Sequence, residues 1–156
     1  MNITFEVCDI VEDFEAALLL DRQMFIEKGM PPKSREDRAR LFGLDSLVVI
    51  KDKDTVIGYC FFEIVRNVVA HVSLGLAPEY RNKGVGDKFM PHVGQIWRGR
   101  GAKQVLIYFP VTDLESPKFY KRWKCQYIGQ EKVDGAWFNL YVYHLMGPVR
   151  TKPIEE

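Results

Sequence analysis

Cysteine is scarce in this 156-residue chain, three in all, at Cys8, Cys60 and Cys125. Their odd number, wide spacing and mostly apolar surroundings argue against a disulfide framework or a zinc site and for a reducing compartment. No apolar run approaches the ~18 residues that a membrane span needs, and no leader-like segment opens the chain. The expectation is a soluble, cytoplasmic protein with no metal and no membrane partner. Excess charge is missing too: the net charge is +1, which gives no prior for a nucleic-acid surface. Internal repeats are absent, and two familiar phosphate signatures fit badly. A dinucleotide G-x-G-x-x-G needs glycine where Phe89 stands, and a P-loop needs a Gly-Lys-Ser/Thr ending that the chain lacks.

What remains is ordinary globular material, 47% apolar and 28% charged, of a length that suits one domain. Residues 1–146 are read as that domain and 147–156, with two prolines and few apolar residues, as a loose tail. Ile3 to Val7 alternates like a strand. Glu12 to Glu27 carries Phe14, Ala17, Leu18, Met24 and Phe25 at helical spacing, with Glu12 and Asp13 where the helix dipole favours acids. Gly29 to Pro32 breaks it, and Ser34 can cap a short second helix from Arg35 to about Phe42. Leu47 to Lys51 and Val56 to Val65 read as strands joined by Asp52-Lys53-Asp54, the second apolar enough to be covered on both faces.

The chain is organised around residues 70–103. His71 to Leu76 reads as a strand, stopped by Ala77-Pro78. Val85, Phe89, Val93, Ile96 and Trp97 predict a helix from Val85 to about Arg100, and Pro91 inside it predicts a kink near Asp87 to Pro91. Between strand and helix lie Arg81, Asn82, Lys83, Gly84, Val85 and Gly86, two cations with two glycines. A helix start offers unbonded N–H groups and a positive dipole end, so this loop has the chemistry of an anion site. Gln104 to Phe109, a short loop after the helix, should pair parallel to the first strand. Ser116-Pro117 reads as N-cap and first residue of a fourth helix, Lys118 to about Lys124. Asp134-Gly135 marks a hairpin between Tyr127 to Val133 and Trp137 to Leu145.

The pattern R/Q-x-x-G-x-G/A between strand and helix, here in PEYRNKGVGDKF, resembles motif A of the GNAT family, the GCN5-related N-acetyltransferases. The later segment FYKRWKCQYIG resembles the family's FYEKLGFEEVG, and the order of elements over about residues 3 to 145 is also the family's. The resemblance implies an α/β fold with a central, mostly antiparallel sheet, one parallel β-α-β unit and flanking helices. It implies acetyl-coenzyme A as co-substrate and direct acetyl transfer to a primary amine of a small molecule or peptide. Residues 81–86 would hold the pyrophosphate. Backbone groups of Leu76 and Ala77 would run beside the pantetheine arm, with an N–H near Leu76 facing the thioester oxygen.

Within the same resemblance, Tyr120 matches the tyrosine that protonates the departing thiolate or hydrogen-bonds the sulfur. A phenol, with a reference pKa of about 10, suits that task. Asp113 stands where the family often has an asparagine on the pantetheine arm, and it accepts where asparagine could donate. For a base, some relatives use a glutamate before motif A; here the candidates are His71, because histidine titrates near neutrality, and Glu63 on the neighbouring strand. Cys125 has no evident histidine partner for covalent chemistry. Phe25, Met30, Phe42, Trp137 and Tyr141 are expected to line an aromatic acceptor pocket. Lys118, Lys121, Arg122 and Lys124, with Arg98, Arg100 and Lys103, are a solvated face, an aid to the 3′-phosphate of coenzyme A, or an RNA contact. Two other functions stay open: a tRNA-acetylating toxin of the same fold, against which the balanced charge counts, and a coenzyme A-binding module without catalysis. Edge pairing into a homodimer is open as well.

Overall fold

A computed structural model describes residues 1–145; the expected tail therefore lies outside the described residues. The elements are β1 (Ile3–Val7), α1 (Val11–Glu27), α2 (Arg35–Leu41), β2 (Leu47–Asp52), β3 (Thr55–Val65), β4 (Val68–Leu76), α3 (Phe89–Gly99), β5 (Gln104–Pro110), α4 (Ser116–Arg122), β6 (Gln126–Val133) and β7 (Ala136–His144), with three single 3₁₀ turns. The strands form one seven-stranded sheet in the order β1-β2-β3-β4-β5-β7-β6. Pairing is antiparallel from β1 to β3 and from β5 through β7 to β6, and parallel between β4 and β5. This is the mixed architecture the sequence predicts.

By compactness the chain divides into two units, residues 1–63 with 73–86, and residues 64–72 with 87 onward. In the first, β2 and β3 carry the core: Leu47 to Ile50 and Ile57 to Phe62 are buried without alternation, as befits strands covered on both faces. Phe14, Ala17 and Leu18 bring one stripe of α1 onto Phe42, Leu47, Val49, Tyr59 and Phe61. Ser34 Oγ accepts from the Asp37 N–H at 3.1 Å and caps α2. Lys53 has φ 54, which closes the tight turn between Asp52 and Thr55.

In the second unit α3 buries Phe89, Met90, Val93, Gly94 and Trp97. The α-helix starts at Phe89, later than predicted, and a 3₁₀ turn over Gly86–Lys88 stands where its first turn was expected. The reason is Pro91. Starting at Phe89 puts the proline third in the helix, where no backbone donor is required, so the missing N–H is harmless. Strand β4 begins three residues before the predicted His71, and His71 itself has φ 54, a left-handed conformation within a strand. The β4–β5 register covers Val68 with Gln104 and Val69 with Val105, and the distortion follows two residues later. Asp134 and Gly135, with φ 50 and 83, make the predicted two-residue turn between β6 and β7. No described helix is long and apolar enough to cross a membrane.

Candidate active site

In the first unit, β4 delivers the chain through Leu76 and a 3₁₀ turn, Pro78–Tyr80, into the loop 81–86. The turn is pinned by its backbone: Ala77 donates to Ile57 O at 2.7 Å, Tyr80 to Ala77 O and Arg81 to Pro78 O. Tyr80 Oη donates to Asp52 at 2.7 Å, which anchors the turn to the β2 end. Beyond it Asn82 and Gly84 take left-handed φ values of 59 and 84. A side chain at Gly84 would meet nothing within 4 Å, so its glycine answers to backbone conformation and leaves open space over the loop. The N–H groups of Gly84, Val85 and Gly86 find no acceptor among the described residues. Lys83 is exposed, whereas Val85 is buried and fixes the loop to its support. Unbonded backbone donors beside an exposed cation are suited to an anion.

Arg81 is placed otherwise than the motif suggests. Its Nε donates to Leu76 O at 3.1 Å, and Nη1 and Nη2 each donate to a Glu27 oxygen at 2.8 Å. The hydrogen bond from Arg81 holds the Glu27 carboxyl below its usual value, and the same bond raises Arg81. Beside this pair lies a cavity of about 40 Å³ walled by Leu20, Met24, Tyr59, Leu76 and Arg81 among others. Burial, and then the charge of Asp21, push the Tyr59 phenol well above its ordinary value.

Asp21 was not anticipated as a site residue. It is 2% exposed, accepts from Arg38 Nε and Nη2 at 2.8 and 3.1 Å, and accepts from Ser73 Oγ at 2.6 Å. Arg38 in turn lies over the rings of Phe25, Phe42 and Phe61, 4.9 to 5.7 Å from their centroids. One buried ion pair thus fastens α2 and β4 to α1. The signal was present: Phe14, Ala17, Leu18 and Asp21 share a helical stripe, and an acid on an apolar stripe asks for a partner. Phe42 is 1% exposed and stacks on Phe61 at 5.0 Å, so it belongs to the core and lines no open pocket, contrary to expectation. Phe25 and Met30 are half-buried. Glu63 closes the first unit's part of β3, half-buried.

In the second unit Tyr120, 7% exposed, lies on α4 with its ring stacked on Phe109, 5.8 Å between centroids and 7° between planes. Phe119 meets it edge-on at 5.1 Å. These contacts set the plane of the ring, whose one polar group is the hydroxyl. Asp113 holds the start of that helix: Oδ1 accepts from the Glu115 and Ser116 N–H groups at 3.1 and 3.0 Å, and Oδ2 from Ser116 Oγ at 2.6 Å. Ser116 is therefore the first helical residue instead of the cap, and the capping oxygen comes from upstream. His71 is exposed on the distorted part of β4. Burial pushes the Cys125 thiol up to about 12, which removes it as a nucleophile near neutrality. Of the cationic cluster, Arg122 pairs with Asp87 at 2.8 Å and Lys118 with Glu115 at 3.3 Å; Trp137 is half-exposed and Tyr141 stacks on Phe109. No group of three metal-ligating side chains occurs among the described residues.

Residues 43–123 match the profile of an acetyltransferase (GNAT) domain. No curated protein sequence matches the chain. Solved structures resemble it at low identity. A phosphinothricin acetyltransferase of the GNAT superfamily from Sinorhizobium meliloti, in complex with acetyl-CoA, is 21% identical with a TM-score of 0.76, over 99% of this chain and 95% of that one. The ribosomal-protein-S18-alanine N-acetyltransferase of Escherichia coli is 12% identical with a TM-score of 0.75, over 94% and 96%. Ard1 from Thermoplasma volcanium is 14% identical with a TM-score of 0.76, over 94% and 100%. The fold is common to all three, and the chain belongs to the GNAT acetyltransferase family, enzymes that transfer acetyl groups from acetyl-coenzyme A.

Proposed function

We propose that the chain transfers the acetyl group of acetyl-coenzyme A directly to a primary amine of a small molecule or peptide. The observation that carries the donor half is the loop after β4: unbonded N–H groups at residues 84–86, the left-handed Gly84 with open space above it, and exposed Lys83. Asn82 to Gly86 bind the pyrophosphate, and Leu76 and Ala77 lie along the pantetheine arm with a backbone N–H for the thioester oxygen. A preorganised donor of that kind contributes a few kcal/mol to the transition state. The amine lone pair attacks the thioester carbon, the C–S bond breaks as the tetrahedral adduct collapses, and Tyr120 Oη gives its proton to the leaving sulfur. The proton lost by the amine goes to solvent, with His71 or Glu63 as the candidate base, and solvent returns a proton to Tyr120. Asp113 supports the site through α4, whose first turn it caps, and not by a bond to the pantetheine arm.

Calorimetric titration with acetyl-coenzyme A tests the donor half. The native chain is expected to bind, and Gly84→Glu, which sets a carboxylate over the loop, to lose binding; no binding by the folded native chain sinks the reading. For the acid, Tyr120→Phe is expected to lower kcat on an amine identified by screening by about a hundredfold, and an unchanged kcat removes Tyr120 from that role. Binding without turnover on any amine would favour the non-catalytic module. The toxin alternative has no support in the balanced charge, and the pairing of Arg122 and Lys118 with acids reduces the cationic face further.

A further inference from the structure

The guanidinium of Arg81 is spent inside the protein. Its Nε bonds the Leu76 carbonyl at 3.1 Å, its two terminal nitrogens grip both Glu27 oxygens at 2.8 Å, and Nη2 also touches Met24 Sδ at 3.3 Å. Leu76 is the last residue of β4, while Met24 and Glu27 lie one turn apart at the end of α1. Because the guanidinium is a rigid plane, bonds from three of its nitrogens to two elements fix the distance and angle between them, which a lysine's single ammonium cannot do. The pair is too exposed, 33% and 46% at the side chains, to be there chiefly for stability. Lys83, by contrast, is exposed and has no partner among the described residues.

We propose that Arg81 is a positioning residue and not a phosphate ligand: with Glu27 it forms a strut that holds the end of β4 and the entry of the 82–86 loop against α1, leaving the side-chain charge for phosphate to Lys83. This rests on the acetyl-coenzyme A reading above. The strut gives the motif arginine a task at the Leu76 backbone, where the thioester is held, and ties the donor strand to the helix that precedes the expected acceptor segment.

The two roles predict opposite signs for Glu27→Gln. If Arg81 were a phosphate ligand restrained by Glu27, removing the carboxylate would free it and acetyl-coenzyme A would bind more tightly. As a strut, it predicts weaker binding, about three- to tenfold, and Arg81→Lys should behave the same way despite keeping the charge. Calorimetry with acetyl-coenzyme A at several salt concentrations, run well below each variant's melting temperature, reads this out. Arg81→Gln should keep the native salt dependence while Lys83→Gln flattens it. Tighter binding by Glu27→Gln, or a flattened salt dependence in Arg81→Gln, overturns the strut. So does a lowered melting temperature with an unchanged Kd, the mark of a residue that merely supports the fold. Absence of binding by the native chain overturns the donor reading itself and is thereby distinct from these.

Discussion

Removing the Asp21 carboxylate strands a guanidinium. Arg38, 11% exposed at its side chain against 3% for Asp21, would keep its position over three aromatic rings without a counter-charge, and Ser73 would lose its acceptor. Breaking a buried pair from one side costs about 3–5 kcal/mol, so Asp21→Ala is expected to lower the urea-unfolding free energy by that amount. A loss under about 1 kcal/mol would mean that water replaces the pair freely. Of this cluster the helical stripe made Asp21 conspicuous in the sequence, but its partners lie 17 and 52 positions away. No local pattern pairs residues over such separations. The same holds for Arg81, whose motif position was legible and whose acceptor, Glu27, was not.

At the scale of the element, α4 is seven residues long and too short to persist without help. Its help is Asp113, whose carboxylate takes two N–H groups and a hydroxyl at the helix start. Asp113→Ala should cost about 1 kcal/mol in denaturant unfolding and, by loosening the helix that carries Tyr120, reduce kcat more than the affinity for acetyl-coenzyme A; an affinity loss without a kcat change would point to direct contact with the pantetheine arm. Sequence reading located this helix yet chose Ser116 as cap, because an Asp three positions upstream and a Ser at the boundary are equally good capping residues. The start of α3 was misjudged for a related reason. Apolar spacing runs through Val85, but the cost of proline inside a helix is avoided when the helix begins two residues before it.

For the whole molecule, pH should act through carboxylates and buried hydroxyl and thiol groups. Arg35 holds Glu15, and Arg81 holds Glu27, below their ordinary value of 4.5, and the Asn2 N–H and Tyr80 hydroxyl hold Asp52 below 3.8. A depressed folded-state value means stability that is full above the ordinary value and is lost as pH falls through the depressed one. Tyr59 and Cys60 are raised by burial from 10.0 and 9.0, so their contribution is full below those values and is lost as pH climbs past them. Thermal melts should therefore give a plateau between about pH 5 and 9 with a fall on each side; a melting temperature still rising below pH 4 would contradict the acid limb. By itself the sequence determined the succession of strands and helices, the glycine-rich turn after β4 and the Asp134-Gly135 hairpin, because periodicity, helix dipoles and turn conformations are decided by residues a few positions apart. Only the tertiary structure decided that Arg81 reaches Glu27, that Asp21 binds Arg38 and Ser73, that Phe42 belongs to the core, and that His71 is twisted out of regular strand geometry. Those outcomes depend on which distant groups must share a desolvated space, and burial penalties are set by the assembled fold and not by neighbours along the chain.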